Sequence, residues 1–268
     1  MMLVAIGSTM RLAGYQVRNL LRSRWLSAYT LFFLIVTETL LRFGGTQPSA
    51  LLGVANIILL VVPLVTLVFG AMYVYESREF TELLLAQPIG RRRIFVALHL
   101  GLAIPLIAGF AAGIIIPLTV HGAWAAELRG AVAMMLAVGI ALTLVFTGFA
   151  LWIATRIQDK VRGLGAALVT WLGCGVLYDG LVLIVATVFA DYPLERSMLG
   201  LVFANPIDLG RVLLLLRFDI AALMGYTGAV FERFFDGMTG LAVAAAALGL
   251  WALIPAWRGM RAFQRKDF

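Results

Sequence analysis

Charge is scarce in this sequence: Asp, Glu, Lys and Arg make up 13% of its 268 residues, while hydrophobic residues make up 62%. Soluble domains average about 25% and about 45–50% on the same scales. A chain of this size folded in water could not cover that much apolar surface. A water-soluble enzyme or binding module is therefore excluded, and the chain faces lipid. Cysteine is nearly absent. Cys174 stands alone, which excludes an intrachain disulfide and a cysteine metal cluster. The two histidines, His99 and His121, lie 22 residues apart, about 33 Å of helix. No HExxH and no GxSxG occurs, which argues against an intramembrane zinc protease or a serine hydrolase. The two lysines, Lys160 and Lys266, follow Asp159 and Arg265. No Gly-Lys-Ser/Thr phosphate loop exists, so the chain carries no ATP site of that kind.

What is present is six apolar segments, at about 25–43, 51–75, 94–120, 130–154, 164–189 and 239–257. Each approaches or exceeds the roughly 20 residues that a bilayer core requires. They predict an all-α polytopic membrane protein with six transmembrane helices, forming a single transmembrane domain over residues 1–268. Six spans put both ends of the chain on one side, and the basic residues choose which. Fifteen of the twenty-one Lys and Arg fall before the first span, in 76–93, in 155–163 and after 257. The positive-inside bias assigns those segments, both termini included, to the cytoplasmic face of the cytoplasmic (inner) membrane. The same distribution accounts for the net charge of +7 without a nucleic-acid partner.

Residues 198–225 are nearly apolar enough for a seventh span, but Asp208, Arg211, Arg217 and Asp219 interrupt them. Each charge at the bilayer centre would cost about 2.5–3.5 kcal/mol. The 190–238 loop is expected instead to hold short helices that dip into the outer leaflet and return, broken at Asn205-Pro206. At the other end, MMLVAIG is too short for a signal peptide, and RLAGYQVRNLLRSRW follows where a cleavage site would stand. Residues 1–24 read as an interfacial amphipathic helix, with Leu12, Tyr15, Leu20 and Trp25 interleaved with Arg11, Arg18, Arg22 and Arg24. A basic flank that orients the first span fits the same residues.

The loop between the second and third spans, YESREFTELLLAQPIGRRRIF, is the densest charged stretch. Ser77 is a candidate cap, and Glu76, Glu79 and Glu82 lie where a helix dipole favours negative charge. Phe80, Leu83, Leu84 and Gln87 have the 0, 3, 4, 7 spacing of one helix face. Pro88 and Gly90 then turn the chain into Arg91, Arg92 and Arg93. A two-faced helix this short needs a cover, either the lipid surface or a partner protein. Within the spans, Asp179 sits among apolar residues as a functional group or a structural hydrogen bond to a neighbouring helix. Glu38 has the spacing to pair with Arg42 at i+4. Gly109 and Gly113 mark a close helix seam.

Glu76, Thr81, Leu83, Leu84, Pro88 and Arg91, leading straight into a span, resemble the coupling region of ABC type 2 permeases. Asp179, the run Asn205-Pro206-x-Asp208-x-x-Arg211 and the tail RKDF are similar to the permeases of nitrous-oxide-reductase maturation transporters. The chain departs from that pattern at Phe80-Thr81, where Gly-Thr is usual, and at Ala97-Leu98, where Gly-Lys is common. The resemblance implies a half-transporter. A second copy would pair with it, cytoplasmic ABC ATPase subunits carrying ATP and Mg would grip residues 76–93, and Asn205, Pro206, Asp208 and Arg211 would form an exit gate or the contact for a periplasmic partner. No cofactor or metal is expected on this chain: a copper path needs clustered Met, His or Cys, whereas the ten methionines are scattered. Export of a sulfur-containing species or transmission of motion fits better. Export of a lipid, glycan or drug, and a non-transporting membrane anchor or assembly subunit, remain alternative readings.

Overall fold

The computed structural model describes residues 14, 16–122, 128–189, 195–217 and 238–266. Among these the regular structure is helical throughout, and six helices are long and apolar enough to cross a membrane. They are α1 (Arg24–Gly44), α2 (Pro48–Glu76), α4 (Arg91–Val120), α5 (Arg129–Arg156), the run 160–188 and α10 (Met238–Arg265). The run 160–188 comprises α6 (Lys160–Leu172), a π segment (Gly173–Leu177) and α7 (Tyr178–Val188). A short helix, α3 (Arg78–Leu85), links α2 to α4, and α8 (Glu195–Phe203) and α9 (Pro206–Arg217) precede α10.

Local chemistry sets the ends. Pro48 opens α2, where its missing N–H costs nothing. Asp159 caps α6 by accepting from the Arg162 N–H at 2.7 Å. Gly45 and Gly122 follow α1 and α4 with φ of 63° and 67°, a conformation that glycine adopts without strain. α10 runs eight residues past the expected end of its span, because Phe263 is buried against Phe95, with ring centroids 5.8 Å apart.

The helices alternate in direction. At one end the Arg91 guanidinium reaches the last carbonyls of α10, and the Tyr75 hydroxyl donates to Ile157 O at 2.8 Å. At the far end Glu38 of α1 meets His121 beyond α4. α4 and α5 lie deepest, α1 and α10 are peripheral, and none of the residues in the most apolar stretch of 160–188 is buried. Small residues bring the helices together. A Cβ on Gly113 would fall 2.6 Å from the Phe33 Cβ, so the Gly109–Gly113 seam joins α1 to α4 within the chain. Buried Thr143, Thr147 and Thr155 each donate to the carbonyl four residues earlier at 2.7–2.8 Å, satisfying hydroxyls that have no water.

α8 and α9 form the re-entrant pair. Their axes bend by 111° across Ala204–Asn205. The Trp251 indole donates to Phe203 O at 3.0 Å, and Gly210 lies between Leu59 and Val138, so the bend reaches well into the bundle from the far end. The expected interfacial helix 1–24 lies partly outside the described residues, including Arg11, Leu12 and Tyr15. Residues 16–21 are helical, with Gln16 and Leu20 turned inward and Arg18, Arg22 and Arg24 outward. Gln16 is hydrogen-bonded to the Tyr73 hydroxyl.

Candidate functional site

Two polar clusters stand out, one at each end of the bundle. At the α3 end, Ser77 does not cap α3 with its side chain. Its hydroxyl donates back to Val74 O, and its carbonyl accepts from the Thr81 N–H at 2.9 Å. The face expected to unite Phe80, Leu83, Leu84 and Gln87 divides. Leu84 and Thr81 turn into the bundle, Phe80 is half-buried, and Gln87 is exposed; Leu83 is 68% exposed against 7% for Leu84. The helix is rotated towards Thr81 because the chain from α2 enters directly at Ser77, with no linker to reorient it. What faces outward is Glu79, Glu82 and Leu83, one apolar side chain between carboxylates.

Charge pairs lie within and beside this helix. Glu82 Oε1 accepts from Arg78 Nε at 3.2 Å, and Glu76 lies 3.4 Å from Lys160 Nζ at the start of α6. Pro88 is exposed in the turn. Arg91 is exposed but bonded to its own chain: its Nη1 donates to Gln264 O at 2.9 Å and Lys266 O at 2.8 Å. These are orphan carbonyls at the end of α10, so Arg91 is a cap supplied from another helix. Sequence reasoning missed this contact, since nothing in residues 88–91 points to residues 264–266. Arg92 and Arg93 are exposed. Arg78, Thr81 and Lys266 line one small cavity, so the tail lies beside α3; burial and the Arg78 guanidinium lower the Lys266 pKa, opposed by Glu82.

The second cluster joins residues that the sequence had suggested as two sites. Asp179 of α7 accepts from Arg211 Nη1 at 2.7 Å, and the same nitrogen lies 2.9 Å from Asp208 Oδ1. Asn205 Nδ2 donates to Cys174 O at 2.7 Å and to Asp208 Oδ2 at 3.2 Å, while its Oδ1 accepts from the Ile207 N–H. Pro206 opens α9 at the bend. The π segment makes this geometry: the Tyr178 N–H bonds Gly173 O across five residues, and the Cys174 carbonyl is offered sideways to Asn205. Tyr178 adds a second tie to the re-entrant pair by donating to Leu201 O at 2.8 Å. Gly173 and Gly175 were the available signal for the π segment. Glu38 corrects another expectation. Its carboxylate lies 3.1 Å from His121 Nε2, and the i+4 pair with Arg42 does not form.

Two carboxylates around one guanidinium, held by a bent hairpin against a π-distorted span, form an ion-paired cluster. No group of three or more His, Cys, Asp or Glu placed to hold a metal occurs among the described residues. The described residues form a multi-pass helical bundle with a short charged helix at one end and a re-entrant charged hairpin at the other, the architecture of a polytopic membrane protein. The profile of the ABC-2 family transporter proteins matches residues 44–268, and the chain belongs to that family. It is 28% identical over 264 residues to "Probable ABC transporter permease protein NosY" of Pseudomonas aeruginosa, covering 92% of each chain. It is 25% identical over 267 residues to the protein of the same name from Stutzerimonas stutzeri, covering 93% of each. The chain is an ABC transporter permease subunit.

Proposed function

We propose that this chain is the membrane half of an ATP-driven exporter in the cytoplasmic membrane, serving maturation of the copper–sulfur centre of nitrous oxide reductase. Both chain ends and α3 face the cytoplasm, in keeping with the fifteen basic residues on that side. ATP and Mg belong to separate ATPase subunits. The observation that carries this reading is the outward face of α3, where Leu83 stands between Glu79 and Glu82 on a helix too short to be stable without its anchors. Closure of the ATPase pair pushes α3, and the turn at Pro88 and the Arg91 brace pass that push to α4 and α10 together. The 155–163 loop is a second contact, joined to α2 through Tyr75 and Lys160.

Two copies pair through the unburied face of residues 160–188, where Val169, Leu177, Leu183 and Ile184 stand exposed. The cluster of Asp179, Arg211, Asp208 and Asn205 then lies beside the seam, about 14 Å in from the Val188 end. There it gates exit or transmits motion to a periplasmic partner. The maturation reading is tested by deleting the gene in the native host and isolating its nitrous oxide reductase. The expected enzyme lacks the copper–sulfur centre and its visible absorption, and the wild-type gene restores both. A fully assembled enzyme from the deletion strain would remove the maturation role and leave the permease class standing.

A further inference from the structure

A large cavity lies outside both clusters, between α4 and α10. It is about 630 Å3, within the range of small-molecule sites, and its walls are mainly apolar (Phe95, Val96, Leu100, Leu253, Ala256 and Met260), with His99 among them. Leu253 is 66% exposed, so the cavity is a groove open along its side to the surroundings of the bundle. Arg92 closes it at the α3 end, where Trp257 also lines it. The Arg261 guanidinium stacks 3.7 Å from the Trp257 ring centre, holding a second cation at that level. From Arg92 to Leu100 the groove runs about 12 Å along α4, close to the depth of one leaflet of a hydrocarbon core about 30 Å thick. α4 and α10 together carry six arginines and no carboxylate. An apolar trough one leaflet deep, with uncompensated cations and a tryptophan at its mouth, matches one molecule in shape and charge.

We propose that this groove binds an anionic phospholipid, with an acyl chain along Leu100 and Leu253 and the phosphate on Arg92. Arg92 is exposed and makes no hydrogen bond or ion pair with other described residues, so its guanidinium is available. Lipid bound here bridges the first turn of α4 and the last turns of α10, the two helices that Arg91 also ties. The inference needs only that the bundle lies in a membrane, and it stands or falls separately from the ATPase reading.

The test is native mass spectrometry of the full-length protein released from vesicles of phosphatidylcholine containing phosphatidylglycerol. Wild-type protein is expected to retain phosphatidylglycerol in preference to phosphatidylcholine. Arg92→Ala should reduce that retention about fivefold, the effect of one basic residue at a lipid surface. Arg162→Ala, at the same end of the bundle but outside the groove, should leave it unchanged. Leu253→Trp fills the trough without altering charge and should displace the lipid. Equal retention of both lipids, or equal losses from Arg92→Ala and Arg162→Ala, would overturn the proposal. So would disulfide-linked pairs of Leu253→Cys protein in native membranes, which would give the groove to a second copy.

Discussion

Leu83 and Leu84 are neighbours in the chain, and the turn of about 100° between them separates an exposed side chain from a packing one. Leu84→Ala removes a buried side chain and should lower stability by about 2–3 kcal/mol, read as a lower melting temperature. Leu83→Asp removes none of the internal packing. It should leave melting unchanged and abolish stimulation of the partner ATPase, measured with both subunits reconstituted. The sequence spacing placed both leucines on one face. Periodicity identifies an amphipathic helix but cannot tell which edge of a wide apolar face turns inward; the direct entry from α2 at Ser77 decides that. Arg211 has a comparable test. Arg211→Ala strands Asp179 and Asp208 beside each other and should cost about 2 kcal/mol. That is below the figure for a fully buried pair, because a third of the guanidinium is exposed. Asp179→Asn keeps a hydrogen bond to Arg211 and should cost less in the same melting assay.

At the scale of elements, the six spans were legible because each carries a long apolar run with at most one carboxylate in it, and their ends fall within a few residues of expectation except at α10. The re-entrant hairpin was legible from Asn205-Pro206 and its flanking charges. Its partner across the bundle was not, since contact between residues 179 and 211 depends on how α7 is rotated. The π segment sets that rotation. Deleting Gly175 would restore plain α geometry and turn Asp179 about 100° away from Arg211. The stability cost of Asp179→Asn, read by melting temperature, should therefore be clear in the intact sequence and lost in the deletion. The brace at Arg91 was equally hidden, because a guanidinium that caps a helix 173 residues away leaves no local pattern.

At the scale of the whole molecule, the protein has a hydrogen-bonded end and an open side. At the α3 end, hydrogen bonds of Arg91, Tyr75 and Lys160 join α4 to the end of α10 and α2 to residues 157–160. The 160–188 face is apolar and unburied, suited to a second copy in the membrane. The measurement that tests this account most directly is a mild-detergent pull-down of the tagged protein from its native membranes, run beside Leu83→Asp, with every co-purifying chain identified by mass spectrometry. The account predicts a P-loop ATPase with the wild-type protein and its loss with the variant, both variants melting alike. Recovery of no ATPase, or of the same ATPase with both proteins, would contradict the claim that the motor docks on α3.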